Sequence, residues 1–388
     1  MKVLQIISSF PPAFSFGGPT RLVYELSKEL LKFGDDITVY TTDVLDKHTR
    51  IRKTGSPTRL DGICVRRFRN LNNTLAAMNL PCAPGMARLL RKEAAEFDMI
   101  CIHEFRSFQA ILASHYAFDN GTPFALHPHG GILPFLEKVK AKRAFDSLVG
   151  KRIVKNASVL VAVSDMEARQ FAALGVNEDR TAVVPNGIDT SFVDQLPVRG
   201  HFRGRYSIAE DEKVVLYLGR IHRIKGLDIL LEAFARLRRT SNRIRLVIAG
   251  PDNGYLGNVK SLVRSLQLGD RVILTGPLYE QDKFSAYVDA DLYVLPSSYE
   301  VFGNTILEAV ACGTPVIVTN RCGISNFAKE FGNVVPYDSE TLATRILETL
   351  ADHKLAREVK ENGARIVSER YGWNGIAARL RELYSRQV

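Results

Sequence analysis

Two glutamates, Glu300 and Glu308, stand with seven residues between them in the segment "SSYEVFGNTILEA". A strand-like "LYVLP" precedes the segment, and a helix is predicted to begin near Gly303, which puts Glu300 in a loop and Glu308 about one turn into the helix. Unpaired N–H groups at such a helix start, here those of Gly303, Asn304 and Thr305, suit a phosphate, which a carboxylate would repel. We therefore expect the two carboxylates to accept hydrogen bonds from neutral hydroxyl groups, those of a ribose at Glu308 and of a sugar at Glu300.

Two cations, Arg220 and Lys225, flank a short loop in "LGRIHRIKG", which follows a predicted strand and leads into a helix starting near Gly226. Arginine offers a planar fork of N–H donors and lysine a compact charge, so the pair suits a diphosphate. A single pair of surface cations is more often merely solvated. The position directly after a strand, where open α/β sheets bind ligands, favours the phosphate-binding role.

The loop "SSFPPAFSFGGPTRL" after the first predicted strand ends in Gly17 and Gly18 at a helix start. Glycine there lets backbone N–H groups approach an anion closely, although an ordinary long loop with turn residues has the same composition. The G-x-G-x-x-G pattern of dinucleotide-binding enzymes does not follow this strand, which disfavours an oxidoreductase of that class.

Two histidines, His127 and His129, end a predicted strand in "ALHPHGG". Residues two apart in an extended chain point the same way, so a metal pair is conceivable, but the sequence places no third ligand and we expect no metal. Each histidine is either a buried structural residue or a side chain that hydrogen-bonds a reacting sugar and stabilises positive charge developing on it.

Apolar runs rich in Val, Ile and Leu alternate with amphipathic helical patterns along the 388 residues, which predicts parallel sheets covered by helices on both faces. The alternation stops between 185 and 213 and then starts again. We therefore predict an α/β protein of two Rossmann-like, doubly wound domains facing a central cleft. The expected domains cover residues 1–195 and 196–370, and a final helix over 371–388 is expected to pack back on the first.

The net charge of +10 indicates anionic partners. Seven Lys or Arg stand against a single Asp between 138 and 155, which suits either a solvated helix face or a membrane-facing patch. Nucleic-acid binding is not expected, because basic and aromatic residues do not interleave. The five cysteines form no CxxC pair, and neither a secretory signal nor a membrane span is apparent, so we expect a cytoplasmic location.

Taken together, these features resemble glycosyltransferase family 4, the retaining nucleotide-sugar transferases of GT-B fold. The similarity extends over essentially the whole chain and keeps the family's order of motifs: the glycine pair after strand one, "VPNGID", "LGRIHRIKG", "EVFGNTILE" and "CGTPVIVT". The resemblance implies that the chain transfers a hexose-type sugar from a nucleotide diphosphate donor. It further implies that Glu308 holds the donor ribose, that Glu300 contacts hydroxyl groups of the donor sugar, and that Arg220, Lys225 and Gly18 meet the diphosphate.

The resemblance also implies roles for residues at the helix start and in the first domain. The backbone N–H groups of Phe302, Gly303 and Asn304 would meet the sugar and the diphosphate. His129, in "HPHG", matches the position that approaches the transferred sugar, and His127 is the less favoured choice. Related enzymes of polysaccharide assembly often carry an arginine before this glycine.

The implied reaction is a front-face transfer with retention, in which the leaving phosphate accepts the acceptor's proton. Its catalytic residues would be His129, Glu300, Arg220 and Lys225. No DxD-like acidic pair is placed to hold a metal, so we expect the cations to replace one and the nucleotide sugar to be a co-substrate without further cofactor.

Three alternatives keep the same fold. A sugar-nucleotide epimerase would bind the same donor but would need acids placed for proton abstraction, and a non-catalytic binding subunit would have lost polar residues of the site. A phosphorylase would need a lysine for pyridoxal phosphate, for which no context is visible.

The acceptor is expected to meet the first domain. The segments 70–97 and 138–155 suggest an amphipathic, cationic surface that suits a lipid-linked glycan, with peripheral contact at the inner face of the membrane. Cell-envelope polysaccharide or glycoconjugate assembly is the corresponding pathway, although soluble acceptors stay open, as do the donor base and sugar.

Overall fold

A computed structural model describes residues 1–46, 48–52, 56–77, 80–133, 138–237 and 243–388. These residues form two compact units, and each is described by itself. The first unit comprises Met1–Gly187 together with Trp373–Val388, and the second comprises Ile188–Gly372. Residues 78 and 79 of the expected acceptor surface lie outside the described residues.

The described part of the first unit is built on an eight-stranded sheet in the order β3-β4-β2-β1-β5-β6-β7-β8. Neighbouring strands are parallel except for the antiparallel pair β3 and β4. The strands are β1 Lys2–Ile6, β2 Asp36–Thr42, β3 Thr58–Leu60, β4 Ile63–Phe68, β5 Met99–His103, β6 Phe124–His127, β7 Val159–Ala162 and β8 Thr181–Val183. Every residue of β5, β6 and β7 is buried, as expected for strands covered on both faces.

Helices cover this sheet. They are α1 Gly18–Lys32, α2 Asn73–Ala77, α3 Gly85–Glu93, α4 Phe108–Asp119, α5 Val139–Phe145, α6 Lys151–Asn156, α7 Asp165–Ala173 and α16 Trp373–Ser385, with one π-helical turn over Asp146–Gly150 between α5 and α6. Helix α1 begins at Gly18 as predicted, and Gly34, with φ +82°, follows its end. The final helix, α16, buries Trp373, Ile376 and Tyr384 in the same apolar core as Val3 of β1.

The second unit has a six-stranded parallel sheet in its described residues, in the order β11-β10-β9-β12-β13-β14. Its strands are β9 Lys213–Leu218, β10 Ile244–Ala249, β11 Val272–Gly276, β12 Leu292–Leu295, β13 Val316–Thr319 and β14 Gly332–Val335. Its helices are α8 His201–Arg205, α9 Leu227–Leu237, α10 Leu256–Ser265, α11 Glu280–Asp289, α12 Asn304–Ala311, α13 Ser325–Ala328, α14 Ser339–Ala351 and α15 His353–Tyr371.

Both strand orders reverse direction once, between β1 and β5 in the first unit and between β9 and β12 in the second. Ligands of doubly wound sheets bind outside the carboxyl ends of the strands at such a switch point. The predicted doubly wound architecture is therefore confirmed in each unit. The pattern of the sequence did not reveal the short pair β3 and β4. None of the described helices has the length and apolar character needed to cross a bilayer.

Candidate functional site

An ion pair lies at the switch point of the second unit. Lys225 follows β9 and Glu300 follows β12, and the Lys225 ammonium group contacts Oε2 of Glu300, with the two side chains only 14% and 17% exposed. The backbone of Glu300 is fixed on both sides, because its N–H donates to the carbonyl of Arg321 at 3.0 Å and its carbonyl accepts from the N–H of Gly323 at 2.8 Å. Glu300 is thus held by the chain and paired through its side chain.

Arg220 lies two residues after the end of β9 and is exposed. The hydroxyl of Tyr217 donates to the Arg220 carbonyl at 2.8 Å. Burial has the largest effect on the pKa of Tyr217 and raises it. The charge of Glu300 raises this pKa further, and the charge of Arg220 lowers it. Both charges therefore act on one buried hydroxyl. The structure thus pairs Lys225 with Glu300 and places Arg220 near the same tyrosine.

The loop from Arg220 to Lys225 packs tightly against the end of β12 because of Gly226. This residue has φ +67°, and a Cβ at its position would stand 1.9 Å from the carbonyl oxygen of Pro296. The N–H of Ser298 donates to the carbonyl of Ile224 at 2.8 Å and joins the same two segments. Only glycine allows this approach, since both the φ value and the missing side chain are required.

Helix α12 begins next to Glu300. Gly303 is its N-cap with φ +88°, and a Cβ there would lie 3.3 Å from Cγ of Glu300 and 2.9 Å from Cδ1 of Ile306. Phe302 is buried, with its ring 6.0 Å from that of Tyr371. The helix starts at Asn304, and its N-cap thus lies next to the Glu300 side chain.

Glu308 lies in the second turn of α12, and both oxygens of its carboxylate have partners. Lys283 of α11 donates to Oε1 at 2.7 Å, and the hydroxyl of Tyr287 donates to Oε2 at 3.1 Å. Sequence reasoning missed both partners. Their spacing of four on a helix that follows β11 is a signal, but it does not show which neighbour they face.

Tyr293 of β12 links β9 to α12 through its hydroxyl group. Its hydroxyl oxygen lies 2.7 Å from Oγ1 of Thr305 and 3.1 Å from the carbonyl oxygen of Leu218. Burial has the largest effect on the pKa of Tyr293 and raises it. The charges of Glu300 and Glu308 raise this pKa further. The charges of both glutamates of the E-x7-E pair thus act on one buried phenol.

The first unit carries the other two predicted site residues. Gly18 is exposed at the first position of α1, and a Cβ added at Gly17 or Gly18 would meet nothing within 4 Å, so the backbone is open on that side. His127 ends β6 and is buried, with Nε2 2.9 Å from the hydroxyl oxygen of Tyr384 in α16. His129 has φ +50°, so the chain is no longer extended there.

The backbone around His129 is held by two charged side chains. Glu167 accepts from the N–H of Gly130 at 2.6 Å, and Arg106 donates to the carbonyls of Gly131 and Ile132 while it pairs with Asp146 at 2.6 Å. A left-handed φ is more acceptable for histidine than for most side chains, and these contacts stabilise it.

A third histidine, His103 at the end of β5, joins the other two and was missed in the sequence, although "MICIH" also ends in histidine. One ring nitrogen of each histidine lies within 4.8 Å of the others, the spacing of a potential metal group. However, Nδ1 of His103 lies 3.0 Å from Nε2 of His129, in rings only 13° from coplanar. The two nitrogens therefore face each other in a hydrogen bond instead of converging on a common point.

Glu104 follows His103 at the switch point of the first unit. Its φ is +84°, and its carboxylate accepts a hydrogen bond from Ser8, which follows β1. Burial raises the pKa of Glu104 to about 7. A strained backbone and a shifted carboxyl group at a switch point are typical of functional positions.

Comparison with known proteins gives consistent matches. Residues 16–192 match the family described as Glycosyltransferase Family 4, and residues 198–366 match Glycosyl transferases group 1. A D-inositol 3-phosphate glycosyltransferase of Thermobispora bispora is 31% identical over 321 residues, which are 78% of this chain and 74% of that protein. A second one, from Kineococcus radiotolerans, is 26% identical over 96% of this chain and 91% of its own.

A solved structure has the same fold. Anabaena Alr3699/HepE, in complex with UDP and glucose, superposes with a TM-score of 0.75 and 21% identity, and the match covers all of both chains.

Proposed function

This chain belongs to the glycosyltransferases with a family 4 domain and a group 1 domain on the GT-B fold, and from that membership we propose that it is a retaining hexosyltransferase. The donor is a nucleotide diphosphate sugar. The acceptor is a glycan or a lipid-linked glycan in cell-envelope polysaccharide or glycoconjugate assembly.

One observation carries the proposal: both glutamates of the E-x7-E segment lie around the N-terminus of α12, one paired with Lys225 and one with Lys283. A carboxylate has lone pairs for about four hydrogen bonds, so Glu308 keeps capacity for two ribose hydroxyls beside its present two donors. The diphosphate suits the helix N-terminus together with Arg220 and Lys225. Ribose, diphosphate and sugar thus each have a fitting group within the second unit.

The proposed reaction follows from these charges. The bond between C1 of the sugar and the β-phosphate oxygen breaks, the acceptor hydroxyl oxygen bonds to C1 on the same face, and its proton passes to the departing phosphate. Arg220, Lys225 and the dipole of α12 stabilise the negative charge that grows on the diphosphate. These cations supply what a divalent metal supplies in other transferases, so we propose metal-independent catalysis.

We assign the first unit to the acceptor and to the transferred sugar. His129 contacts that sugar and Gly18 the diphosphate. The segment 138–155 forms helices with exposed basic side chains, and Leu148 among them is 82% exposed, which supports peripheral contact with an anionic membrane. Both relatives described above are named D-inositol 3-phosphate glycosyltransferase. A small phosphorylated polyol is therefore the soluble acceptor to compare with a lipid-linked glycan.

A thermal-shift panel tests the donor site. UDP-, GDP- and ADP-sugars, beginning with UDP-glucose because of the Anabaena complex, are added without metal to wild type, Glu308→Ala and the control Glu358→Ala, which changes an exposed glutamate of α15. We expect one nucleotide series to raise the Tm of wild type and control but not of Glu308→Ala. If no nucleotide sugar shifts any of the three, with or without magnesium, the proposal is wrong.

Product analysis separates the remaining functions. A transferase joins the sugar to an added glycan, lipid-linked or polyol acceptor with the donor's anomeric configuration. Conversion of the nucleotide sugar to an epimer without acceptor would establish the epimerase, and binding without any turnover would establish a binding subunit.

A further inference from the structure

Two buried side chains, Gln5 and His103, lead to His129. Gln5 of β1 is fully buried, and its Oε1 lies 2.6 Å from Nε2 of His103 in the adjacent strand β5. Nδ1 of His103 in turn lies 3.0 Å from Nε2 of His129. The near coplanarity of the two imidazoles, 13°, puts the shared proton close to both ring planes, which is the geometry of a strong hydrogen bond.

The direction of this chain follows from the chemistry of its first member. An amide oxygen only accepts, so Nε2 of His103 carries the proton. A neutral imidazole has one donor and one acceptor, which leaves Nδ1 of His103 as the acceptor and requires Nε2 of His129 to be protonated. The remaining nitrogen of His129, Nδ1, is then an acceptor without a proton.

Burial keeps all three rings neutral, as this assignment needs. It lowers the pKa of His129 to about 4 and the pKa of His103 and of His127 well below the usual value. Nδ1 of His129 is buried and has no partner among the described residues, and His129 lines a pocket together with Asn186 and Trp373. An unpartnered buried acceptor is costly unless a ligand supplies a donor.

We propose that Gln5 and His103 are positioning residues, which set the tautomer of His129 so that its Nδ1 accepts a hydrogen bond from a hydroxyl of the sugar substrate. The identification of the ligand as a sugar rests on the proposed function, whereas the assignment of the tautomer does not. A hydrogen-bond partner on the other ring nitrogen fixes the tautomer and ring orientation of metal-bound histidines, and it does the same for a histidine that binds no metal.

The direct test is NMR of protein labelled with [15N]histidine, since ring nitrogen shifts report which nitrogen carries the proton. His129 is assigned by the loss of its signals in His129→Gln. We expect wild-type His129 with the proton on Nε2, and a mixture of tautomers in His103→Phe and in Gln5→Leu. Gln5→Glu, which keeps an acceptor, should keep the wild-type tautomer, and so should the control His115→Phe, whose histidine is exposed on α4.

Two results would overturn the inference. One is a proton on Nδ1 of wild-type His129, which corresponds to the opposite orientation of the Gln5 amide. The other is stoichiometric zinc in the purified protein, bound by the ring nitrogens. The wild-type spectrum alone shows which nitrogen of His129 carries the proton, and elemental analysis of the wild type shows whether zinc is bound. A variant that fails to fold therefore does not weaken the test.

Kinetics then connect the tautomer to catalysis. In the transfer assay, His103→Phe should lower kcat 10- to 100-fold with less than a threefold change in donor KM, and combining it with His129→Gln should add little. An unchanged kcat in His103→Phe together with an altered tautomer would contradict the positioning role. If the wild type transfers no sugar at all, the proposed function fails while the measured tautomer still supports or contradicts the Gln5–His103 chain.

Discussion

The ammonium group of Lys283 lies 2.7 Å from Oε1 of Glu308, and this pair joins α11 to the second turn of α12. With Tyr287 on the other oxygen, both carboxylate oxygens have hydrogen-bond partners within the protein that orient the group. Orientation before binding lowers the entropic cost of holding a ribose. Lys283 therefore belongs to the proposed donor site through its contact with Glu308, although it is neither in the E-x7-E segment nor next to it.

Lys283→Met should weaken binding of the nucleoside diphosphate by about tenfold. The substitution keeps much of the side-chain volume but removes a charge-assisted hydrogen bond of about 1.5–3 kcal/mol, part of which holds Glu308 in place. Isothermal titration calorimetry measures the affinity, with Lys260→Met, an exposed lysine of α10, as the control. Equal affinities of wild type and Lys283→Met would show that the pair serves stability alone.

Glu300→Gln should separate the two parts of the donor. Loss of the carboxylate frees Lys225 from its ion pair, so affinity for the nucleoside diphosphate alone should be unchanged or higher. Transfer should fall at least tenfold, because the sugar hydroxyls lose a charged acceptor. Calorimetry with diphosphate and steady-state kinetics with the nucleotide sugar check the two effects. A parallel loss of diphosphate affinity would contradict the assignment of Glu300 to the sugar.

Gly303→Ala should destabilise the second unit by about 1–3 kcal/mol, the cost of a left-handed φ made worse by a close contact. Here φ is +88° and the new Cβ would lie 2.9 Å from Ile306. The control is Gly257→Ala in α10, where a Cβ meets nothing within 4 Å and should be neutral or stabilising by about 0.4–1 kcal/mol. Differential scanning calorimetry compares the unfolding of the two variants. If Gly303→Ala is as stable as the control, the prediction of backbone strain at position 303 is wrong.

Glu104 should make the first unit less stable as the pH rises. Burial raises the pKa of Glu104 in the folded protein from 4.5 to about 7. Its favourable contribution to the free energy of unfolding is therefore complete below pH 4.5 and is lost as the pH increases through 7. The loss is about 2 kcal/mol after allowance for partial solvent exposure. Thermal melting at pH 5 and pH 8 should show a fall in wild type that is reduced in Glu104→Gln and retained in Glu178→Gln, an exposed control. The same fall in all three proteins would mean that Glu104 does not titrate in this range.

The main features of the fold were predictable because a strand buried on both faces must be apolar throughout, and such runs recur at regular intervals. The places of Glu300, Arg220 and Lys225, which follow strands, and of Glu308, in the second turn of a helix after a strand, were predictable for a related reason. The topology of a doubly wound sheet sends those positions to one edge. Local pattern and architecture agree at these residues.

Lys283 and His103 were not predictable in the same way. Lys283 is one of several charged residues on α11, and only the packing of that helix against α12 selects it as the partner of Glu308. His103 looks like the last residue of a buried strand until β1 and β6 bring Gln5 and His129 against it. Such contacts depend on the register between elements, which the spacing of residues along one element does not contain.

Helix α16 has a consequence for biosynthesis. Residues 188–372 are contiguous, so the second unit is complete in sequence before synthesis ends. The first unit is not, because Trp373, Ile376 and Tyr384 fill its core beside Val3 and Met99. Domains usually fold in order of their appearance from the ribosome. Here the domain that is translated first is completed after the second, since its core lacks the side chains of α16 until Trp373–Ser385 have been translated.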